Sequence, residues 1–433
     1  MQLEHTDAVN VDSDPRVSTP QFLQRRRTSP APAGSTPLPH THDPTVAVFC
    51  KHYLPTSQTF VRDHLTTLRR YRPVAVADSL TPDGLAVDGV PVIVRPRGRT
   101  IAPRVTAWLS RRGHYLSLRE SIRRSHADLV HAHFGTGGVM VRRACRQLGL
   151  PLVVTLHGYD VTVRADDNAN VRRLGAGYAA QRKALLHDAA AIITVSQYLA
   201  GRLVQLGAEP SKIHVIPCGV DTAHFEATPV PNTQHVVFVG RLVEKKGCED
   251  LLRAVATSAR SATVTVIGDG PLRHSLLQLA SELNVPADFL GYQPHERVQR
   301  EIRHAQVVAL PSRTAADGDQ EGLPVIALEA AASGRPVVGY RHSGIPEAVV
   351  DGYTGLLAVE GDVTGLAVAL TELLDDHARS QEMGTAARDR ATQLFDLTAT
   401  TARIERVYDR VLASVRRNSA APERGVAPQL VSQ

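Results

Sequence analysis

The sequence predicts an α/β fold made of two doubly wound, parallel-sheet domains. Three observations carry this: short apolar runs rich in β-branched residues recur along the chain, helical patterns separate them, and one break rich in Pro, Thr and Gly divides them into two series. In the first series the strands read TVAVF (45–49), VAVA (74–77), PVIV (91–94), DLVHA (128–132), PLVVT (151–155) and AIITV (191–195). In the second they read HVVFV (235–239), TVTVI (263–267), ADFLG (287–291), QVVALP (306–311), PVVGY (336–340) and GLLA (355–358). These runs are continuously apolar rather than alternating, which suits strands covered on both faces, and the interleaved helices supply right-handed crossovers between parallel neighbours. The break is PCGVDTAHFEATPVPNT (217–233), with the linker itself at 223–233. Beyond the last strand, Ile404, Val407, Tyr408, Val411, Leu412 and Val415 fall at helical spacing. A terminal helix over 397–417 therefore presents one apolar stripe that needs a surface to cover. The domains are 45–222 and 234–396. The ends, 1–44 and 418–433, carry Pro, Ser, Thr and charge without apolar periodicity and are expected to be disordered tails.

Of 433 residues, 43% are hydrophobic and 4% aromatic. No run approaches the roughly 18 apolar residues that a membrane span requires. The opening residues MQLEHTDAVN lack a basic segment followed by an apolar one, so a secretory signal is not expected and a cytoplasmic location is. Cys50, Cys145, Cys218 and Cys248 are scattered without a C-x-x-C pair, which suits buried thiols better than disulfides or a zinc site. The net charge is +6. Between Pro91 and Arg124 stand nine arginines and a single acid, Glu120, so that one stretch outweighs the excess of the whole chain.

Strand carboxyl ends and domain interfaces are the favoured ligand sites of such folds, and the chemistry-bearing motifs fall there. In Glu321-Gly-Leu-Pro-Val-Ile-Ala-Leu-Glu329, Gly322 and Pro324 mark a turn into a helix, with proline at the first helical position. The N–H groups of Val325 and Ile326 would then be free at the positive end of the helix, an anion site suited to phosphate. Glu321 lies ahead of that site and Glu329 about 7.5 Å along the helix behind it. These acids read either as functional groups or as a capped, solvated face, although an unpartnered acid in VIALEAAA would be costly. Arg241 and Lys246, on a loop bounded by Gly240 and Gly247, could clamp a diphosphate or simply be solvated. Gly268-Asp-Gly270-Pro-Leu-Arg273 is a near miss for a dinucleotide fingerprint, and Asp288 sits at the wrong end of its strand, which argues against a nicotinamide cofactor. His157-Gly158-Tyr-Asp160 follows a strand, so His157 reads as a ligand contact or a structural histidine. His131 and His133 share a strand face, but the sequence indicates no third ligand, and no metal site is expected. Of the D-x-D pairs, Asp12/Asp14 lies in the tail and Asp317/Asp319 reads as loop structure.

The motifs SQTF (57–60), HAHFG (131–135), TLHGYD (155–160), GRLVEKKG (240–247), GDGP (268–271) and DGDQEGLPVIALEAAASGRPVV (317–338), in this order, resemble glycosyltransferase family 4. These are retaining nucleotide-sugar enzymes of GT-B fold. The likeness spans about residues 45–416 and is nearest the subgroup that builds bacterial exopolysaccharides of the colanic-acid and amylovoran type or glycosylates small natural products. It implies that Arg241 and Lys246 bind the donor diphosphate and stabilise the leaving nucleotide. It also implies that Glu321 holds donor-sugar hydroxyls, Glu329 the ribose hydroxyls, and that His157 contacts the sugar from the other domain. Gly322, Leu323, Pro324, Val325 and Ile326 would meet phosphate and sugar, with Gly240 and Gly268 also on the donor side. Gly291 and Tyr292 would lie near the base, and Ser57, Gln58, Thr59, Gly158 and Asp160 on the acceptor side. The resemblance further implies transfer from the front face without a nucleophilic carboxylate, and a terminal helix that crosses back onto the first domain. No cofactor is required beyond the nucleotide sugar as substrate, with a UDP-hexose favoured over GDP-mannose. The acceptor would be a hydroxyl of a glycan, a lipid-linked sugar or a small molecule.

Two other readings are weighed against this one: a GT-B relative acting as phosphorylase or sugar-nucleotide epimerase, and a non-catalytic basic module. Nucleic acid is not an expected partner, because the arginine-rich stretch has only Trp108 and Tyr115 as aromatics and shows no recognition motif. That stretch reads either as a peripheral contact with an anionic membrane or lipid diphosphate, or as solvated surface.

Overall fold

The computed structural model describes residues 43–82, 84–96, 106–164, 176–257 and 262–420. Both tails fall outside these residues, apart from their inner edges.

The first domain runs β1 (Thr45–Tyr53), α1 (Thr59–Thr67), β2 (Arg72–Leu80), β3 (Val92–Val94), α2 (Thr106–Arg124), β4 (Leu129–His133), α3 (Gly135–Leu148) and β5 (Leu152–Leu156). It continues through α4 (Tyr159–Thr162), α5 (Ala176–Asp188), β6 (Ala191–Thr194), α6 (Gln197–Gln205) and β7 (Ile213–Val215). Its seven strands are ordered β3-β2-β1-β4-β5-β6-β7, and every pairing is parallel. Each apolar run of the first series forms a strand. The added strand, β7, is only Ile-His-Val at the sheet edge and half-buried throughout, so it carries no apolar run to read.

The second domain begins β8 (His235–Val239), α7 (Cys248–Thr257), β9 (Thr263–Ile267), α8 (Arg273–Glu282), β10 (Ala287–Gly291), α9 (His295–His304) and β11 (Val307–Leu310). It is completed by α10 (Val325–Ala332), β12 (Val337–Arg341), α11 (Ile345–Ala348), β13 (Gly355–Val359), α12 (Val363–Asp375) and α13 (His377–Leu394). The strand order is β10-β9-β8-β11-β12-β13, again all parallel. In both sheets the order reverses beside the first strand, between β1 and β4 and between β8 and β11. At such a switch point the flanking connections diverge to opposite faces and leave a crevice at the strand carboxyl ends. SQTF, GRLVEKKG and EGLP follow the strands that border these two crevices, and HAHFG spans the end of another, β4.

The chain passes between the domains twice, and the two crossings are bonded to each other. Val220 N–H donates to Phe395 O (2.8 Å) and Leu397 N–H to Val220 O (3.0 Å). The linker is anchored rather than loose. Arg335, fully buried, donates to Thr228 O (2.7 Å), Pro229 O (3.2 Å) and Arg303 O (2.8 Å).

From the second crossing, α14 (Leu397–Ala420) runs back over the first domain. It buries Val407, Tyr408 and Val411 against Val46, Val48, Leu65 and Leu129. Glu405, 3% exposed, accepts the backbone N–H groups of Arg69 (2.8 Å) and Arg70 (2.7 Å), and Arg70 Nε at 3.1 Å. It thereby ties α14 to the end of α1.

The four cysteines are free, and burial pushes each thiol up to about 12. Among the described residues no helix is long and apolar enough to cross a membrane. Within the arginine-rich stretch, Arg95 pairs with Asp78 at 2.5 Å and Arg123 with Glu120 at 2.6 Å, so part of its charge is locally matched. Arg97, Arg99 and Arg104 lie outside the described residues.

Replacing Glu405 by Ala removes the buried acceptor of the Arg69 and Arg70 N–H groups and of the Arg70 guanidinium, and releases α14. Chemical denaturation is expected to show a loss of about 2 kcal/mol.

Candidate active site

The floor of the second-domain crevice is glycine backbone at the ends of β8, β9 and β10. Gly240 N–H donates to Ile267 O (2.9 Å) and Gly268 N–H to Gly291 O (2.8 Å). A Cβ on Gly268 (φ +131°) would stand 2.0 Å from Gly240 O, so no side chain fits there. One on Gly240 would meet the Lys246 stem at 3.4 Å. Gly247 closes the turn after β8 against Pro311 O at the end of β11, where a Cβ would lie at 1.8 Å. This packing brings Lys246 to Glu321: Nζ and Oε1 are 2.7 Å apart. Lys245 pairs with Asp319 at 3.0 Å. Burial pushes the Glu321 carboxyl up, but Lys246 and Lys245 outweigh it and hold the group at about 2. The acid is therefore ionised at neutral pH. Arg241 is exposed and makes no ion pair among the described residues, and Tyr292 is 60% exposed beyond Gly291.

Pro324 occupies the N-cap position with extended backbone (φ −67°, ψ 119°), one residue before the expected place, and α10 starts at Val325. The first N–H groups of a helix have no intrahelical acceptor, so those of Val325 and Ile326 remain available as anticipated. Glu329 lies on this helix and is 8% exposed. Burial first, then Asp63, raise its carboxyl to about 7, while Arg62 lowers it. Arg62 and Asp63 belong to α1 of the first domain and form an ion pair at 2.7 Å. His295 Nδ1 is 4.0 Å from Glu329 Oε1. These three residues carry no sequence signal, because only the fold brings them to Glu329.

In the first domain His157 packs against Phe60 (centroids 4.5 Å) and Phe134 (4.6 Å). Its backbone N–H and those of Gly158 and Gly135 all donate to the Asp160 carboxylate at 3.2, 3.0 and 2.9 Å. Asp160 is 0% exposed, which corrects its assignment as an acceptor contact: it shapes the turn that presents His157. Ser57, Gln58 and Thr59 lie at the start of α1, with Ser57 exposed and Gln58 at the N-cap without a capping side-chain bond. The next residue, Phe60, is the one that touches His157.

The domains meet through glycine. A Cβ on Gly322 would lie 1.9 Å from His157 O, and one on Gly158 (φ +152°) 3.2 Å from Gly322 N. Nearby, Gln320 N–H donates to Thr162 Oγ1 (3.1 Å) and Arg164 N–H to Asp317 O (3.1 Å). Glu347 of the second domain accepts the Gln197 (2.7 Å) and Tyr198 (2.8 Å) N–H groups at the start of α6. The Asp317/Asp319 pair is thus part of a bonded interdomain loop. His131 and His133 do acquire a third histidine, His64 from α1, with ligand atoms of all three within 4.8 Å. Those nitrogens are engaged in hydrogen bonds with neighbouring rings and hydroxyls.

Two family models cover most of the described chain: Glycosyltransferase Family 4 over residues 57–224 and Glycosyl transferases group 1 over 220–390. A putative colanic acid biosynthesis glycosyltransferase, WcaL of Salmonella typhimurium, is 32% identical over 63% of this chain and 68% of its own length. The amylovoran biosynthesis glycosyltransferase AmsK of Erwinia amylovora is 30% identical over 62% and 67%. A GDP-mannose-dependent phosphatidylinositol monomannoside mannosyltransferase of Mycolicibacterium smegmatis is 32% identical over 58% and 67%. In three dimensions the chain matches Anabaena HepE, solved with UDP and glucose, at a TM-score of 0.68 and 20% identity, over 84% of this chain and 99% of HepE. Fold and crevice together define a GT-B enzyme that uses nucleotide-sugar donors. The chain belongs to glycosyltransferase family 4 and is a hexosyltransferase.

Because Gly322 admits no Cβ against His157 O, Gly322→Ala is expected to part His157 from Glu321. Sugar-transfer assays should show at least a roughly tenfold loss of turnover, since small misplacements in a site are costly, with circular dichroism unchanged.

Proposed function

We propose that the protein moves a hexose from a nucleoside diphosphate sugar to an acceptor hydroxyl with retention of anomeric configuration. The observation that carries this is the Lys246–Glu321 pair at the β8/β11 switch point, beside the first N–H groups of α10. Departure of the nucleotide develops negative charge on the diphosphate. Lys246, Arg241 and the Val325 and Ile326 N–H groups are cationic or dipolar groups available to receive it, which lowers the barrier without reorganisation. Glu321, ionised and tethered by Lys246, accepts hydrogen bonds from sugar hydroxyls. Its charge is already balanced by a lysine, which suits a holding role better than attack on the anomeric carbon. The acceptor therefore attacks from the side the diphosphate leaves, and a phosphate oxygen takes its proton. Glu329 accepts the ribose hydroxyls.

A UDP-sugar is the favoured donor, supported by the likeness to HepE with its bound UDP and glucose. GDP-mannose is the second reading, supported by the mannosyltransferase relative. An exopolysaccharide-type glycan acceptor follows the names of WcaL and AmsK. Lys246→Ala is expected to lower turnover of the preferred donor, screened between UDP-glucose and GDP-mannose, by roughly 100-fold or more. Unchanged turnover in that variant contradicts the assignment, and an inverted anomeric signal in the product contradicts retention.

A further inference from the structure

A continuous line of hydrogen bonds leads from His157 at the cleft to the returning helix. His157 Nε2 is 3.1 Å from His133 Nδ1, and His133 Nε2 is 3.0 Å from His64 Nδ1. His64 Nε2 is 3.0 Å from the Tyr408 hydroxyl, which is 2.5 Å from His131 Nδ1. His131 Nε2 ends the line 2.6 Å from Thr155 Oγ1. Four elements contribute: α1, β4, β5 with the turn after it, and α14. Among the four rings, only His157 Nδ1 lacks a partner in the described residues, so it alone is left for a ligand. Burial holds all four histidines below their ordinary range, His64 at about 4 and His157 at about 3. The rings are therefore neutral at physiological pH.

A neutral imidazole has one N–H and one lone pair, so each ring donates at one end and accepts at the other. With every bond made, the Tyr408 oxygen could also accept from both His131 and His64, but its own buried O–H would then have no acceptor among the described residues, which leaves two polarities. In the first, Thr155 O–H donates to His131 Nε2, His131 Nδ1–H to the Tyr408 oxygen, and Tyr408 O–H to His64 Nε2. His64 Nδ1–H then donates to His133 Nε2 and His133 Nδ1–H to His157 Nε2, which leaves His157 with its proton on Nδ1. In the second polarity each bond reverses, and His157 Nδ1 is a lone pair. Thr155, 5% exposed, would then accept from His131 while its own hydroxyl proton had no acceptor among the described residues. A buried donor without a partner is disfavoured, so the first polarity prevails.

We propose that Thr155, His131, Tyr408, His64 and His133 are positioning residues that fix His157 as the Nδ1–H tautomer, a neutral hydrogen-bond donor to an oxygen of the bound sugar or its phosphate. The catalytic relevance of this tautomer rests on the transferase reading above, but the tautomer itself does not. The returning helix is thus part of the active site through Tyr408, although Tyr408 does not touch the cleft.

Ring 15N shifts of histidine-labelled protein, with the His157 signals assigned by their loss in His157→Gln, report the tautomer directly. Wild type is expected to show His157 protonated on Nδ1. Tyr408→Phe removes the hydroxyl between His131 and His64 and is expected to give mixed His157 tautomers. It should also lower kcat with UDP-glucose roughly tenfold, the scale seen when an orienting partner is lost, with little change in KM. His133→Leu should do the same, whereas His133→Asn, whose Nδ2–H can donate where Nδ1–H did, should keep the tautomer. If Tyr408→Phe does not fold, the near-isosteric Thr155→Val supplies the test at the far end of the line. A wild-type His157 protonated on Nε2, or a tautomer untouched by Tyr408→Phe or by its Thr155→Val substitute, overturns the proposal. These shifts are read without turnover, so failure here is distinct from failure of the transferase reading.

Discussion

An ion pair between the half-buried Lys246 and the buried Glu321 organises this molecule. Burying two charges is expensive, and such pairs are often no better for stability than apolar residues of the same volume. Retaining one at a strand end suits a charged substrate rather than a packing requirement. The surrounding backbone is built to permit it. Gly240 and Gly268 clear the floor beneath the Lys246 stem, Gly247 seats the lysine turn on the end of β11, and Gly322 lets the Glu321 segment touch His157 O. At each of these places a methyl group would meet backbone or the lysine itself. Electrostatics then follows from sterics: Glu321 stays ionised because two lysines are held beside it, whereas Glu329, buried without such a partner, sits near neutrality.

The second organising feature is the way the domains are joined. Two crossings bonded at Val220, together with the Asp396 carboxylate accepting the Thr222 hydroxyl at 2.8 Å, make a narrow, ordered junction. α14 extends from it across the first domain, held by Glu405 at α1 and by Tyr408 within the histidine line. The last helix therefore reaches the catalytic cleft through hydrogen bonds, while its apolar stripe covers the β1 side of the sheet. Both His157 at the cleft and the helix that closes the fold are bonded into the same buried network.

Much of this was legible in the sequence, and what was missed has common physical causes. Continuous apolar runs revealed the strands because parallel sheets are covered on both faces, and β7 escaped because a half-buried edge strand with a central histidine has no such run. Lys246 and Glu321 were legible as motif residues at strand ends, but their direct pairing was not. Pro324 suits both the N-cap and the first helical turn, so its position was read one residue off. Asp160 was misread because a carboxylate near a strand end looks the same in sequence whether it faces a cleft or collects three backbone N–H groups. His64 and Tyr408 stand 344 residues apart and meet through tertiary packing alone. Two histidines on β4 hinted at a cluster but could not show what completed it.

The central claim is that the second domain grips a diphosphate through Lys246, Arg241 and the start of α10. Calorimetric titration of the wild-type protein with UDP and UMP, or with GDP and GMP if those bind better, tests it most directly. The diphosphate should bind at least roughly tenfold more tightly than the monophosphate, the equivalent of about one charge-assisted hydrogen bond. Equal affinity for the two would mean that the nucleoside alone is recognised, and would contradict the role given to these groups.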